Sequence, residues 1–163
     1  MTQAHHTPEQ GFQRFGVCTP TRLPSKDIVR SAQVAEQEGL DMFCVGEALL
    51  VHRTLHYRGV MPIVAAIAQA TDRINICIGI TGPHFRHPAV LAVDAATIDE
   101  ISDGRFILGL GAMTRPMLEL EYRTHLARSV AAMRECIRAV RGVASGEVFS
   151  FDSPLIDFHA RET

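Results

Sequence analysis

The stretch RHPAVLAVDAATIDEISDGRFILGLGAM, residues 86–113, carries the most information about the fold. Pro88 stands where a helix starts, and apolar residues then recur through Ile98 and Ile101. Asp103-Gly104 is a turn signal, and FILGLG behind it is a short apolar run ending in glycines. One helix, one tight turn and one buried strand make a unit that normally repeats around a barrel. Working outward, the same unit recurs. FGVCTP (15–20) predicts a strand ended by proline, and SKDIVRSAQVAEQEGL (25–40) a helix. In that helix Ser25 is the expected cap, Asp27 suits the first turn, and Ile28, Ala32 and Ala35 form one stripe. DMFCVGE (41–47) predicts a second strand, and Pro62 opens an apolar helix, PIVAAIAQAT. RINICIGITGP (73–83) predicts a third strand, 103–111 the fourth, and 114–146 is mostly helical. The end, EVFSFDSPLIDFHARET, alternates around Asp152-Ser153-Pro154 as a small hairpin does.

Continuous apolar strands alternating with helices argue for an α/β fold with parallel pairing and right-handed crossovers. The order is that of a TIM-barrel-type (β/α) repeat, but the unit occurs only four times in 163 residues. A closed barrel takes eight units and about 250 residues. The organisation expected is a loose leader over 1–12, a half barrel over 13–146 and a hairpin-like tail over 147–163.

Composition narrows the function classes. A formal net charge of -2 gives no reason to expect nucleic acid or an anionic membrane surface as partner. No apolar run reaches the ~18 residues of a membrane helix, and the first residues, MTQAHHTPEQGFQRFG, lack a signal-peptide core. Cys18, Cys44, Cys77 and Cys136 form no C-x-x-C pair, so free thiols in a reducing, cytoplasmic compartment are expected and no metal site is.

The third strand carries the sharpest clue to a site. Ile74, Ile76, Ile78 and Ile80 alternate with Asn75, Cys77, Gly79 and Thr81. The branched set is expected under the helices and the small set on the inner face. On the fourth strand Phe106, Leu108 and Leu110 alternate with Ile107, Gly109 and Gly111. Barrel enzymes work at the C-terminal ends of their strands. Glycines there either let a flat ligand approach the backbone or relieve crowding in a narrow barrel. Glu47, ending strand two, is either a site residue or an acceptor for loop amides, and Arg86 can pair with it or with an anionic ligand. His84 and His87 can face a ligand, or His87 can cap the helix that Pro88 begins. GLGAMT (109–114) lacks the third glycine of a dinucleotide loop, and His52 and His56 lack the glutamate of a zinc helix. No Ser-His-Asp arrangement is present.

AEQEGLDMFCVGE, AAIAQATDRINICIGITGPHFRHPAVLAVDAATIDEISDGRFILGLGAM and GEVFSFDSP together resemble the bacterial luciferase-like superfamily of flavin- and coenzyme F420-dependent oxidoreductases. The resemblance runs in order over about residues 12–155, is most specific from Thr71 to Gly111, and leans to the deazaflavin branch. It implies a (β/α)₈ fold and a bulge in strand three with a non-prolyl cis peptide near Gly79-Ile80. It implies coenzyme F420, or alternatively FMN, against Gly79, Ile80, Thr81, Gly109 and Gly111. By the same resemblance Glu47 is the catalytic candidate, His84 and Arg86 lie toward a small-molecule substrate, and the cofactor carries the hydride.

Two positions depart from the family. Ala48 stands where histidine often follows the acid, and Ala112-Met113 stand where some deazaflavin dehydrogenases carry glutamate. The larger departure is the absence of the later units that hold the cofactor phosphate. Three outcomes are open: a split or truncated oxidoreductase needing a second chain, two copies closing one barrel, or a non-catalytic flavin-binding remnant.

Overall fold

The computed structural model describes residues 14–47, 58–112, 129–146, 150–152 and 157–159. The expected leader, His52, His56, Ala48 and Met113 lie outside them. The chain alternates β1 (Gly16–Pro20), α1 (Ser25–Gln37), β2 (Met42–Gly46), α2 (Val60–Ala70), β3 (Asn75–Thr81), α3 (Pro88–Ile101) and β4 (Phe106–Leu110). Then come α4 (Ser129–Ala144) and the short strands β5 (Ser150–Asp152) and β6 (Asp157–His159). The four long strands form one parallel sheet in the order β1-β2-β3-β4. The last two pair antiparallel, as the hairpin pattern predicts. This is half of a (β/α)₈ barrel, with β1 and β4 at the edges.

The core lies between the sheet and the helices. Ile28, Ala32 and Ala35 of α1 pack in one cluster with Phe43, Val45, Ile76 and Ile78 of the strands. α2 contributes on nearly every side, with Val60, Met61, Ile63, Val64, Ile67 and Ala68 buried. A helix apolar all round belongs inside, and its mean composition allows nothing else.

Several boundaries differ from expectation. Pro24, not Ser25, is the residue before α1, and no side chain caps that end. The amides of Asp27 and Ile28 instead reach the Pro24 carbonyl at 2.9 and 3.1 Å. α2 starts at Val60, two residues before Pro62. Pro62 still falls in the first turn, where its missing N–H has no helical partner to lose. The end of α1 is as the sequence predicts. Gly39 has φ +80°, and the Leu40 amide folds back to the Ala35 carbonyl at 2.9 Å.

Two polar groups tie the turns at the N-terminal ends of the strands. Arg105 donates to the carbonyls of Ala68, Thr71, Ile74 and Ser102 and to the Thr71 hydroxyl, at 2.8–3.1 Å. A guanidinium at the end of α2 also meets the negative pole of that helix. Glu36 Oε1 accepts the amides of Asp72, Arg73 and Ile74 at 3.0, 2.6 and 2.9 Å.

Burial works to raise the Glu36 pKa, but the three amides and the Arg73 charge outweigh it and leave it below 4.5. A depressed folded-state pKa stabilises the fold above the unfolded value and loses that contribution as pH falls through the folded value. Glu36→Gln keeps the shape and removes the charge. It is expected to lower stability by about 1 kcal/mol at neutral pH. Urea unfolding of both chains at several pH values checks this: the gap should shrink once the pH drops under 4.5. A gap unchanged by pH would assign the loss to packing.

Candidate functional site

The C-terminal ends of the strands are shaped by an irregularity in β3. Ile78 pairs with Leu108, yet Thr81 pairs with Leu110, so β3 uses one more residue than β4 over the same rise. The peptide between Gly79 and Ile80 is cis. Both the bulge and the cis bond were implied by the family resemblance. Beyond them the faces of β3 are exchanged. The alternation predicts Ile80 under the helices and Thr81 on the inner face; instead Ile80 is 37% exposed and Thr81 fully buried. One inserted residue shifts the period-two pattern by one, which moves every later side chain to the other face. The strand resumes pairing past the bulge, where the Gly111 amide donates to the Thr81 carbonyl at 3.0 Å.

The three site glycines have a physical reason to be glycine. A Cβ on Gly79 would overlap the Cys44 Sγ, one on Gly109 the Ile78 carbonyl oxygen, and one on Gly111 the Ile80 Cδ1. Each space is already filled by the chain's own atoms, so relief of crowding accounts for all three. Gly46 differs. Its Cβ would meet only the Gly79 and Thr19 carbonyl oxygens, at 3.5 and 3.9 Å, which is ordinary contact. Together with the exposed Ile80, Gly46 gives the inner face a shallow shelf. The sequence did not single out Gly46, and its pairing opposite Pro20 emerges only from the register.

Glu47 and Arg86 meet. Arg86 Nη2 lies 2.5 Å from Oε1 and Nη1 2.9 Å from Oε2, a bidentate pair. Their side chains are 1% and 20% exposed, respectively. Arg86 Nη1 also reaches the Thr81 hydroxyl at 3.4 Å. Glu47 follows Phe43 and Val45 at even spacing, and both of those are buried in the helix-side core. Arg86 in turn borders a groove of about 440 Å³ with Met61 and Pro62 of α2 and Asp94, Thr97, Ile98 and Ile101 of α3. The pair thus joins the end of β2 to the loop after β3. Of the remaining candidates, His84 is exposed, and His87 caps α3, its Nδ1 accepting the Ala89 amide at 3.2 Å. Thr21, fully buried just after β1, was not singled out by the sequence; its hydroxyl finds no hydrogen-bond partner among the described residues. Among those residues no group of three metal-ligating side chains gathers, and no helix is long and apolar enough to cross a membrane.

A half barrel with a bulged third strand, a cis peptide beside its glycines and an acid–arginine pair at the strand ends places the chain among the (β/α)-barrel proteins. The chain belongs to the luciferase-like monooxygenase family, whose model matches residues 13–162. It is 30% identical over 146 residues to a 5,10-methylenetetrahydromethanopterin reductase of Methanolobus tindarius, covering 88% of this chain and 42% of the relative. It is 30% identical over 132 residues to an F420-dependent glucose-6-phosphate dehydrogenase of Amycolatopsis mediterranei, covering 77% and 40%. Among solved structures, a monooxygenase of Streptomyces bottropensis superposes with a TM-score of 0.79 at 26% identity, over 90% of this chain and 47% of that one. The chain therefore spans less than half the length of the relatives it matches.

Proposed function

We propose that this chain supplies the first half of an oxidoreductase site in which a deazaflavin, coenzyme F420, or alternatively FMN, reacts with a small-molecule substrate. The observation that carries the reading is the family match over residues 13–162 together with 42% coverage of the first relative. The FMN alternative draws on a solved FMN complex of an oxygenating 3,6-diketocamphane monooxygenase constituent from Pseudomonas putida, which shares the fold at a TM-score of 0.76.

The described residues fit the ring part of such a group. Gly46 leaves room that a Cβ would fill, and Ile80 offers an apolar surface beside the Gly79-Ile80 peptide. They do not offer a phosphate cradle at this end, because both terminal nitrogens of Arg86 are committed to Glu47. The bound group would supply hydride or oxygen-activating chemistry. Gly79, Ile80, Thr81, Gly109 and Gly111 would form the backbone wall that orients it. Glu47, proposed from the resemblance as catalytic, acts in this reading by fixing the loop after β3 through Arg86. His84, exposed on that loop, is left toward the substrate. The rest of the site would come from the β/α units that the relatives carry beyond the matched region.

The reading makes a specific demand on affinity. Riboflavin and FMN share the ring and differ in the phosphate, so their dissociation constants for this chain should agree within about threefold. Fluorescence titration measures both. FMN binding more than about tenfold tighter would place the phosphate site in this half and overturn the division of labour. Turnover by the isolated chain with reduced coenzyme F420 or FMN would likewise overturn the need for a second half. A second reading, an assembly subunit without chemistry, is favoured by the engagement of Glu47 on both oxygens, and any such turnover would also rule it out.

A further inference from the structure

α1 carries three stripes at helical spacing. Ile28, Ala32 and Ala35 face the core. Gln33 and Glu36 face the end of α2 and the turn before β3, Gln33 donating to the Ala70 carbonyl at 3.1 Å. The third stripe, Asp27, Ser31, Val34 and Glu38, lies on the other flank and borders a trough along the helix. Asp27, Arg30, Ser31 and Val34 line its first part, about 320 Å³. Ser31, Val34 and Glu38 line the second, about 350 Å³, over Val17 of β1 and Phe43 of β2. Val34 is 47% and Val17 40% exposed, and neither Asp27 nor Glu38 forms an ion pair among the described residues.

α4 carries the complement. It rests against α3, with Ala132, Cys136 and Ala139 buried. Val130, Arg134, Ile137 and Arg141 recur along it at the same intervals as the α1 stripe. Val130 is 72% exposed, and the exposed Arg134 and Arg141 form no ion pair among the described residues. One chain thus owns an apolar trough edged by two carboxylates and an open stripe bearing two guanidiniums. β1 and β4, the strands at these two flanks, are the edges of the sheet and offer unpaired backbone groups.

We infer that the trough takes α4 of a second copy, so that two half barrels close into one. β4 of each copy adds in parallel to β1 of the other, and a twofold axis along the barrel makes the same contact twice. In a (β/α) barrel each helix runs back against its strand, so neighbouring helices are parallel. Side by side in that sense, equal spacing sets Val130 level with Asp27, Arg134 with Ser31, Ile137 with Val34 and Arg141 with Glu38. The apolar pair lies inside, and the acidic flank of α1 meets the basic flank of α4, which is the complementarity a specific partner needs. The inference deepens the proposed function and rests on that reading for the inner face alone: the second copy covers that face where the relatives use their own later units.

Sedimentation velocity of the full chain between ~5 and ~50 μM is expected to show a monomer–dimer equilibrium. Glu38→Arg and Arg141→Glu each set like charges together at both contacts and should weaken the dimer about tenfold or more. Both positions are exposed, so folding should persist, which circular dichroism verifies. Mixing the two variants restores opposite charge at both contacts of the mixed dimer and should recover association. A folded chain that stays monomeric at the higher concentration would overturn the inference. So would a dimer indifferent to both substitutions, or a mixture that associates no better than either variant alone. A dimer that binds no riboflavin would leave this interface standing and count against the proposed function only.

Discussion

Arg86→Ala is expected to cost about 3–5 kcal/mol of stability, the largest loss of any single substitution considered for this chain. The reason is the partner it leaves behind. Glu47 is 1% exposed at its side chain, and Arg86 provides the cation on both of its oxygens. Removing the guanidinium strands a carboxylate out of reach of water. Replacing both members together is a different experiment. Glu47→Leu with Arg86→Met removes the need for pairing and should recover most of the loss, since a well-packed apolar pair can match a buried ion pair. Urea midpoints of the two single variants and the double variant check this through the coupling energy. An Arg86→Ala loss under about 1 kcal/mol would mean the pair behaves as a surface bridge.

Gly79→Ala should also be strongly destabilising, by about 1–3 kcal/mol, because overpacking a closed space forces displacement. The added Cβ overlaps Cys44 Sγ but lies 4.0 Å from Cys44 Cβ, an ordinary contact. Cys44→Ala in the same chain should therefore bring the penalty of Gly79→Ala down to about 0.5 kcal/mol. Gly109→Ala offers the contrast. Its clash is with the Ile78 carbonyl oxygen, a backbone atom that no truncation removes, so Cys44→Ala should leave that penalty untouched. Thermal or urea unfolding of the wild type, the three single variants and the two double variants decides it. Full additivity of Gly79→Ala and Cys44→Ala would show that the sulfur is not what keeps position 79 small. Gly79→Val adds two more carbons at the same place and, under the proposed function, should abolish binding of coenzyme F420 or FMN as well.

Much of this architecture was legible because each signal was local. The Ile28, Ala32 and Ala35 stripe, the Gly39 helix end and the alternation of apolar strands with helices each depend on a few neighbouring residues. The order of parallel strands then follows from short crossovers. What alternation could not give was the exchange of faces at Ile80 and Thr81, because a bulge changes the count of residues without changing their types. The glycines were legible as necessary, but not why. Crowding of position 79 by Cys44 is a contact between strands, invisible until the register is known. Glu47 and Arg86, 39 positions apart, were open to several partners by type alone, and only the meeting of β2 with the loop after β3 selects one.

The strand order β1-β2-β3-β4 also bears on how the chain comes into being. Each long strand pairs with the one made just before it, across a single intervening segment. A chain emerging from the ribosome can therefore add each strand to an edge that already exists, with no need to hold an early strand open for a late one. Loop closure is spread over three similar short steps instead of one long one. Arg105 and Glu36 fit that sequence of events, since both fasten the turn before β3 to segments synthesised within one unit of it. In kinetic terms the sheet grows at its C-terminal margin, and β4 is the edge that a further parallel strand would meet first.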